Sequence, residues 1–332
     1  MVTALGVPAG AQSPQLVEPC KDSIGIALVE VPTQRKDDPR ARTYVVDHVQ
    51  PGARFERGLR ICNGTTEPVA VQVYAGAATI DGAAFIAVEG RVDNELSSWI
   101  TVTPERVSVP AKGEQVVSAT FAVPVDATAG ERYAALLVEA PAARQASGLS
   151  VANRVGVRVY LSVGGPKEPA SDFVVDSLQA SRRADGRPVV TASVRNTGER
   201  ALDLRGELAL SDGPGGLSAG PFPATVGTTL AVGASAPIEV VLDEAIRGGP
   251  WLARITMRSG LLERRAEARI SFPDDPGAST EAVTAAALPL AKDPSVVIPF
   301  AIALLGLLGL LLVVVGYLAT RRRARERAAG SQ

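Results

Sequence analysis

Histidine is almost missing from this sequence: His48 is the single one among 332 residues. Acid–base and nucleophilic catalysis most often run through an imidazole, and many zinc sites depend on one. Its scarcity speaks against histidine-dependent hydrolases and His-rich metal centres. Cysteine is nearly as rare, with Cys20 and Cys62 alone, which excludes a Cys-rich metal cluster or a small disulfide scaffold. Aromatic residues make up only 4% of the chain, and sandwich cores use them for packing. Lysine supplies only five of the 34 basic residues, and Ala, Gly and Val abound; this bias suggests a GC-rich, actinobacterial source. Positive charge is also lacking where nucleic acid would need it. Residues 321–332 hold five Arg and one Glu, contributing +4 to a formal net charge of −1, so the remainder carries −5. A slightly acidic body is a poor nucleic-acid binder, since such binding rests on phosphate neutralisation.

The strongest positive feature is an uncharged run of 24 residues, 296–319. At about 1.5 Å per residue a helix of that length crosses a hydrocarbon core of about 30 Å. Arg321, Arg322, Arg323, Arg325 and Arg327 follow it, and arginines stay on the cytoplasmic side. The expected topology is therefore single-pass: an extracellular N-terminal part, a helix held in membrane lipid at 296–319, and a basic cytoplasmic tail at 320–332. At the start, Ala9-Gly10-Ala11 fits a small-x-small cleavage site after apolar residues, so 1–11 reads as the remnant of a signal peptide. Cys20 and Cys62 then lie in an oxidising compartment, where pairing would tie the segment before the first strand to a strand of the first domain.

Between those ends the chain reads as strands. Val, Ile and Thr recur in short runs divided by Gly, Pro, Asn and Asp. Candidate strands of a first domain, 22–165, fall at 24–31, 43–49, 55–62, 69–75, 99–102, 114–123, 133–140 and 154–163. The odd positions Val69, Val71 and Val73 are apolar, which predicts one buried face. Asn63-Gly64 and Asp81-Gly82 are tight-turn dipeptides. Residues 164–169 contain two Gly and two Pro and form a hinge. A second domain, 170–272, has strands at 173–180, 189–195, 202–210, 235–242, 251–258 and 263–270, with turns at Asp185-Gly186 and Asn196-Thr197-Gly198. Residues 273–295 read as a flexible stalk. The fold class is all-β: two tandem immunoglobulin-like β-sandwiches followed by one transmembrane helix.

One stretch is more specific. Thr103-Pro104-Glu105-Arg106-Val107-Ser108-Val109-Pro110-Ala111-Lys112-Gly113-Glu114 precedes an apolar strand, Pro124, and then Ala129-Gly130-Glu131-Arg132-Tyr133. It resembles segments of immunoglobulin-like domains of the pilus-chaperone type. With a second such domain, one C-terminal helix and an arginine-rich end, nearly the whole chain resembles the WxL-interacting proteins of Gram-positive bacteria. That resemblance implies a first domain that binds peptidoglycan and a second that binds a host or partner protein. The chain lacks a Trp-x-Leu of its own, since Trp99 precedes Ile100-Thr101 and Trp251 precedes Leu252-Ala253. It would be the membrane-anchored partner of such proteins.

Several apparent motifs lack their context. Gly216-Leu217-Ser218-Ala219-Gly220 matches the nucleophile-elbow pattern, but Pro221-Phe222-Pro223 follows where a helix is required. Asp37-Asp38 and Asp274-Asp275 lack the alternating oxygen ligands of a calcium loop. Asn63-Gly64-Thr65 fits a glycosylation sequon and reads as a turn. Tyr44, Phe55, Tyr74 and Trp99 are the first-domain aromatics available to stack on sugar rings. The resulting expectation is a non-catalytic, cofactor-free, membrane-anchored surface protein that binds peptidoglycan or another cell-wall polymer. The alternative is an extracellular adaptor or adhesin that captures a partner protein by β-strand addition.

Overall fold

A computed structural model describes residues 20–140, 143–144, 150–151, 154–224 and 227–289. The expected signal remnant at 1–11 and the expected membrane helix at 296–319 lie outside the described residues. Among the described residues no helix is long and apolar enough to cross a membrane.

The first sandwich is built from β1 (Ile24–Leu28), β2 (Val45–Val49), β3 (Arg54–Asn63), β4 (Val69–Asp81), β5 (Ala84–Ala87), β6 (Ile100–Thr103), β7 (Arg106–Val109), β8 (Glu114–Ala122), β9 (Gly130–Glu139), β10 (Ala143–Arg144), β11 (Ser150–Val151) and β12 (Arg154–Val163). One sheet has the order β1-β3-β8-β6; the other runs β2-β12-β9-β4-β5, with β7 also on β4. Alternation explains the layers. Val71 and Val73 point inward with Leu59, Ile61, Val117, Phe121, Leu136 and Val159 to form the core. In β9 the intervening Ala135 and Leu137 are buried too, so this central strand is apolar on both faces. The Asp81-Gly82 turn closes the β4–β5 hairpin, with Gly82 at φ +59°, a backbone state that suits glycine.

The second sandwich comprises β13 (Phe173–Arg182), β14 (Pro188–Asn196), β15 (Leu202–Ser211), β16 (Ala219–Pro223), β17 (Thr228–Leu230), β18 (Ser235–Val241), β19 (Trp251–Ser259), β20 (Leu262–Ile270), β21 (Val283–Thr284) and β22 (Ala286–Leu288). Its sheets are β18-β14-β13-β21 and β16-β15-β19-β20-β22, with β17 on β15. Trp251, Phe173, Leu178, Leu208 and Ile255 fill the space between them. Both sandwiches lie in one compact unit that ends at Ala287; the unit beginning at Leu288 is described only as far as Pro289.

The described part of the expected stalk at 273–295 stays on this sandwich. Arg182 N donates to the Ala278 carbonyl (2.9 Å), Thr280 N to the Ala180 carbonyl (2.9 Å), and β21 pairs with β13. The reason is backbone hydrogen bonding along β13, which needs no side-chain periodicity.

Matching asparagines anchor the two sandwiches. Asn63, at the end of β3, donates through Nδ2 to the carbonyls of Glu67 (2.8 Å) and Val109 (3.1 Å), while its Oδ1 accepts from Thr65 N (2.9 Å). Asn196, at the end of β14, donates to the carbonyls of Arg200 (2.8 Å) and Ala231 (3.0 Å) and accepts from Gly198 N (3.0 Å). Each holds a strand connection by supplying partners to buried backbone groups. Asn63 is 1% exposed, so the sequon is an internal turn and its amide nitrogen is already committed.

Candidate functional site

The sequence-flagged residues scatter. His48 Nε2 donates to the Gly165 carbonyl (2.7 Å), and Nδ1 lies 3.3 Å from the Ser162 hydroxyl; the ring pins the hinge after β12. Ser218 sits in the loop before β16, with no helix following it. Among the described residues no group of three His, Cys, Asp or Glu is placed to hold a metal. Cys20 and Cys62 form a disulfide. The approach to β1 is so tightly fixed there that a side chain at Gly64 would strike the Cys20 carbonyl.

The four aromatics do not form a sugar platform. Phe55 stacks on Phe121 at 4.5 Å, with Arg57 over its ring at 4.8 Å. Trp99 belongs to the core, under Arg132 at 5.0 Å. Arg91 lies 4.4 Å over Tyr74, whose hydroxyl donates to Glu139 (2.8 Å). Burial, then the Glu139 hydrogen bond, raise the Tyr74 hydroxyl above its usual range. Tyr44 packs on Tyr160 at 5.9 Å, under Arg158 at 5.2 Å.

Tyr44 belongs instead to a polar network between the sandwiches, which composition did not reveal. Asp203 of β15 is its centre. Its Oδ1 accepts from Arg158 (2.9 Å), the Tyr160 hydroxyl (2.8 Å) and the Thr229 hydroxyl (2.9 Å), and its Oδ2 accepts from Arg40 Nε (2.8 Å). Arg40 Nη1 also donates to the Ala201 carbonyl (3.1 Å). The tip of the β4–β5 hairpin adds a backbone bond from Thr229 N to the Ala83 carbonyl (2.8 Å). A second line of charges runs through Glu131, which accepts from Ala201 N (2.5 Å) and the Tyr133 hydroxyl (2.9 Å) and faces Arg200. Arg200 and Arg35 both pair with Glu168 of the linker, and Arg35 also faces Asp47. Burial pushes Glu131 above the usual carboxylate range and Arg200 below the usual guanidinium range. Tyr160 is raised by burial first and by the Asp203 charge second. A buried ion pair recovers its desolvation cost only with good geometry and full hydrogen bonding. The network is therefore weak evidence of added stability, since Arg40 Nη2, Glu131 Oε1 and Arg200 Nη2 have no hydrogen-bond partner. Cavities of about 230 Å³ and 350 Å³ flank Arg40.

Beside this network runs an open strand edge. β12 pairs along its whole length with β9, from Arg154 opposite Glu139 to Val163 opposite Gly130. On its other side β2 runs parallel to it but covers only Val159 to Val163. Among the described residues, Arg154, Val155, Gly156, Val157 and Arg158 have no strand partner on that side. Val155 and Val157 face the core, and β1, carrying Ile24 and Ile26, lies against β12 across the sandwich. Gly156 is exposed. Other edges are blunted. β6 has four residues and ends at Thr103-Pro104, β16 contains Pro221 and Pro223, and β18 contains Pro237. Short strands and prolines are devices that prevent edge pairing. The open half of β12 has neither.

No family model matches this chain, and no curated protein matches it. Solved structures do. The YadV chaperone is 14% identical, covering 80% of this chain and all of its own, at a TM-score of 0.38. The Salmonella enterica SafB chaperone, in complex with the SafA pilin, is 11% identical, covering 80% of this chain and 96% of its own, at 0.39. The Pseudomonas aeruginosa CupB2 chaperone is 14% identical, covering 69% and 98%, at 0.38. The resemblance to WxL-interacting proteins is corrected by the family comparison: no family model matches this chain, that family's included. The assignment of the first sandwich to peptidoglycan, which rested on that resemblance, falls with it, and the occupied faces of Tyr44, Phe55, Tyr74 and Trp99 leave it no platform.

Proposed function

We propose that this chain is a non-catalytic protein-binding module that captures an extended partner segment by strand addition at residues 154–158 of β12. The observation that carries the reading is the half-covered strand: β2 pairs with Val159 to Val163 and leaves the preceding five residues open among those described. A partner strand entering there continues the track of β2. Main-chain hydrogen bonds contribute about 0.5–1.5 kcal/mol each. Alternate apolar side chains packing beside Val155 and Ile26 supply the rest and select the partner. The inter-sandwich network holds the second sandwich beside the end of this track, since Arg158 is bound by Asp203. The SafB chaperone was solved in complex with a pilin; for this chain the support is its own open edge. Exposure outside the cell belongs to the same proposal. It is supported by the uncharged run at 296–319 with the arginines after it, and by the Cys20–Cys62 disulfide.

The test is a photoreactive residue placed at Arg154, the first residue of the open stretch, in the full-length chain on intact cells; Gly156 is unsuitable because a side chain there would strike the Leu136 carbonyl. The expected result is a covalent adduct with one extracellular protein, lost when Val155→Lys puts a charge into the seam. Failure to form a protein adduct, or an adduct indifferent to Val155→Lys, overturns the reading.

A further inference from the structure

The segment that leads into β2 has the length, register and side-chain pattern to cover the edge it leaves open. In the observed register Val45 lies opposite Val159. Carried backward one residue at a time, Tyr44 falls opposite Arg158 and Arg40 opposite Arg154. Residues 40–44 thus match the open stretch one for one. The alternation also continues. Val45 packs in the core and Val46 on the other side of the sheet, so an extended chain would turn Ala41 and Thr43 inward and Arg42 and Tyr44 outward. The sequence accordingly predicts a strand from residue 43, two positions before β2 begins.

What prevents the extension is Arg40. Its carbonyl accepts from both Thr43 N (3.0 Å) and Tyr44 N (2.8 Å), and its own N donates to Asp38 (2.9 Å), which folds 40–44 into a turn. Its side chain fastens that turn to the second sandwich through Asp203 and the Ala201 carbonyl. The fastening is incomplete: Arg40 is 8% exposed, yet its Nη2 has no hydrogen-bond partner. A buried guanidinium with an unsatisfied donor loses much of its attraction to desolvation, while an extended 40–44 would gain ladder hydrogen bonds. The observed turn thus carries a desolvation cost that the extended arrangement would not.

We propose that residues 40–44 form a two-position switch. Held on Asp203, they leave 154–158 of β12 open; released, they extend β2 over those residues and close the site. The consequence for binding rests on the strand-capture reading, but the switch is tested without any partner.

The experiment is amide hydrogen exchange on the full-length chain and on Arg40→Met, Asp203→Asn and Arg40→Lys. The last keeps the charge but lacks the separate Nε and Nη donors that Arg40 gives to Asp203 and the Ala201 carbonyl, and it is the mildest change to the fold. In variants that retain protection in β14 and β19, the amides of 154–158 that point away from β9 should exchange roughly tenfold more slowly than in the unaltered chain. Simple loosening of the interface predicts the opposite sign. Unchanged or faster exchange at those amides in Arg40→Lys overturns the switch and leaves a permanently open edge. Slower exchange in the variants, with no adduct from the Arg154 crosslinker in the otherwise unaltered chain, keeps the switch and removes the capture reading.

Discussion

Glu131 shows how a residue that looks ordinary in sequence becomes specific in the fold. It lies beneath Ala201, bonded to its amide and to the Tyr133 hydroxyl, and it faces Arg200. Burial is the largest influence on it and raises its pKa. The folded chain therefore holds a proton there more readily than the unfolded chain does. This contribution to stability is fully present below the ordinary glutamate value of about 4.3 and is lost as pH rises through the raised folded value. The stability difference between the unaltered protein and Glu131→Gln should fall across that window, by about 1.4 kcal/mol for each unit between the two values. Urea unfolding of both proteins from pH 4 to 8 measures it. Asn196 makes the complementary case, since its amide serves several backbone groups at once. Asn196→Ala strands buried carbonyls and should cost at least about 2 kcal/mol, read as a lower urea midpoint at unchanged slope.

Strands were legible wherever alternation was clean. β12 was readable end to end, because Val155, Val157, Val159 and Leu161 share one face. The hairpin at Asp185-Gly186 was readable from its turn, with Gly186 at φ +86°. Most short strands were not, β6 excepted, which matches the strand read at 99–102. β7, β16 and β17 span four, five and three residues, too short for a periodic signal, and they are held by the neighbours they pair with. β21 and β22 fell in a stretch without alternation for the same reason. The candidate site itself was invisible in the sequence, which showed that 154–158 forms a strand but not that β2 stops short of it. The network around Asp203 was hidden as well, because its members come from β2's approach, β12, β15 and β17 and meet only when the sandwiches dock. At this scale Val155→Lys should leave both cores intact, because Val155 is half-buried at the rim. Its loss of capture should come without loss of cooperative unfolding, checked on the same sample by a single urea transition.

For the whole molecule, one compact unit carries two sandwiches joined by polar groups and by an aromatic cluster in which Val46, Tyr160 and Ala201 are buried together. The disulfide acts on the first. It closes a loop with a sequence separation of 42 residues, and in the chain-entropy model the Cys20→Ser, Cys62→Ser double variant should lose about 4 kcal/mol. A thermal melt of that variant should show the drop. The account as a whole depends on β12 being covered over one half and bare over the other. Amide hydrogen exchange along β12 in the unaltered full-length chain measures this most directly. The account predicts that amides of 154–158 pointing away from β9 exchange like exposed chain, while those of 159–163 beside β2 are protected. Uniform protection from Arg154 to Val163 would mean that something already covers the edge, and strand capture at that site would be contradicted.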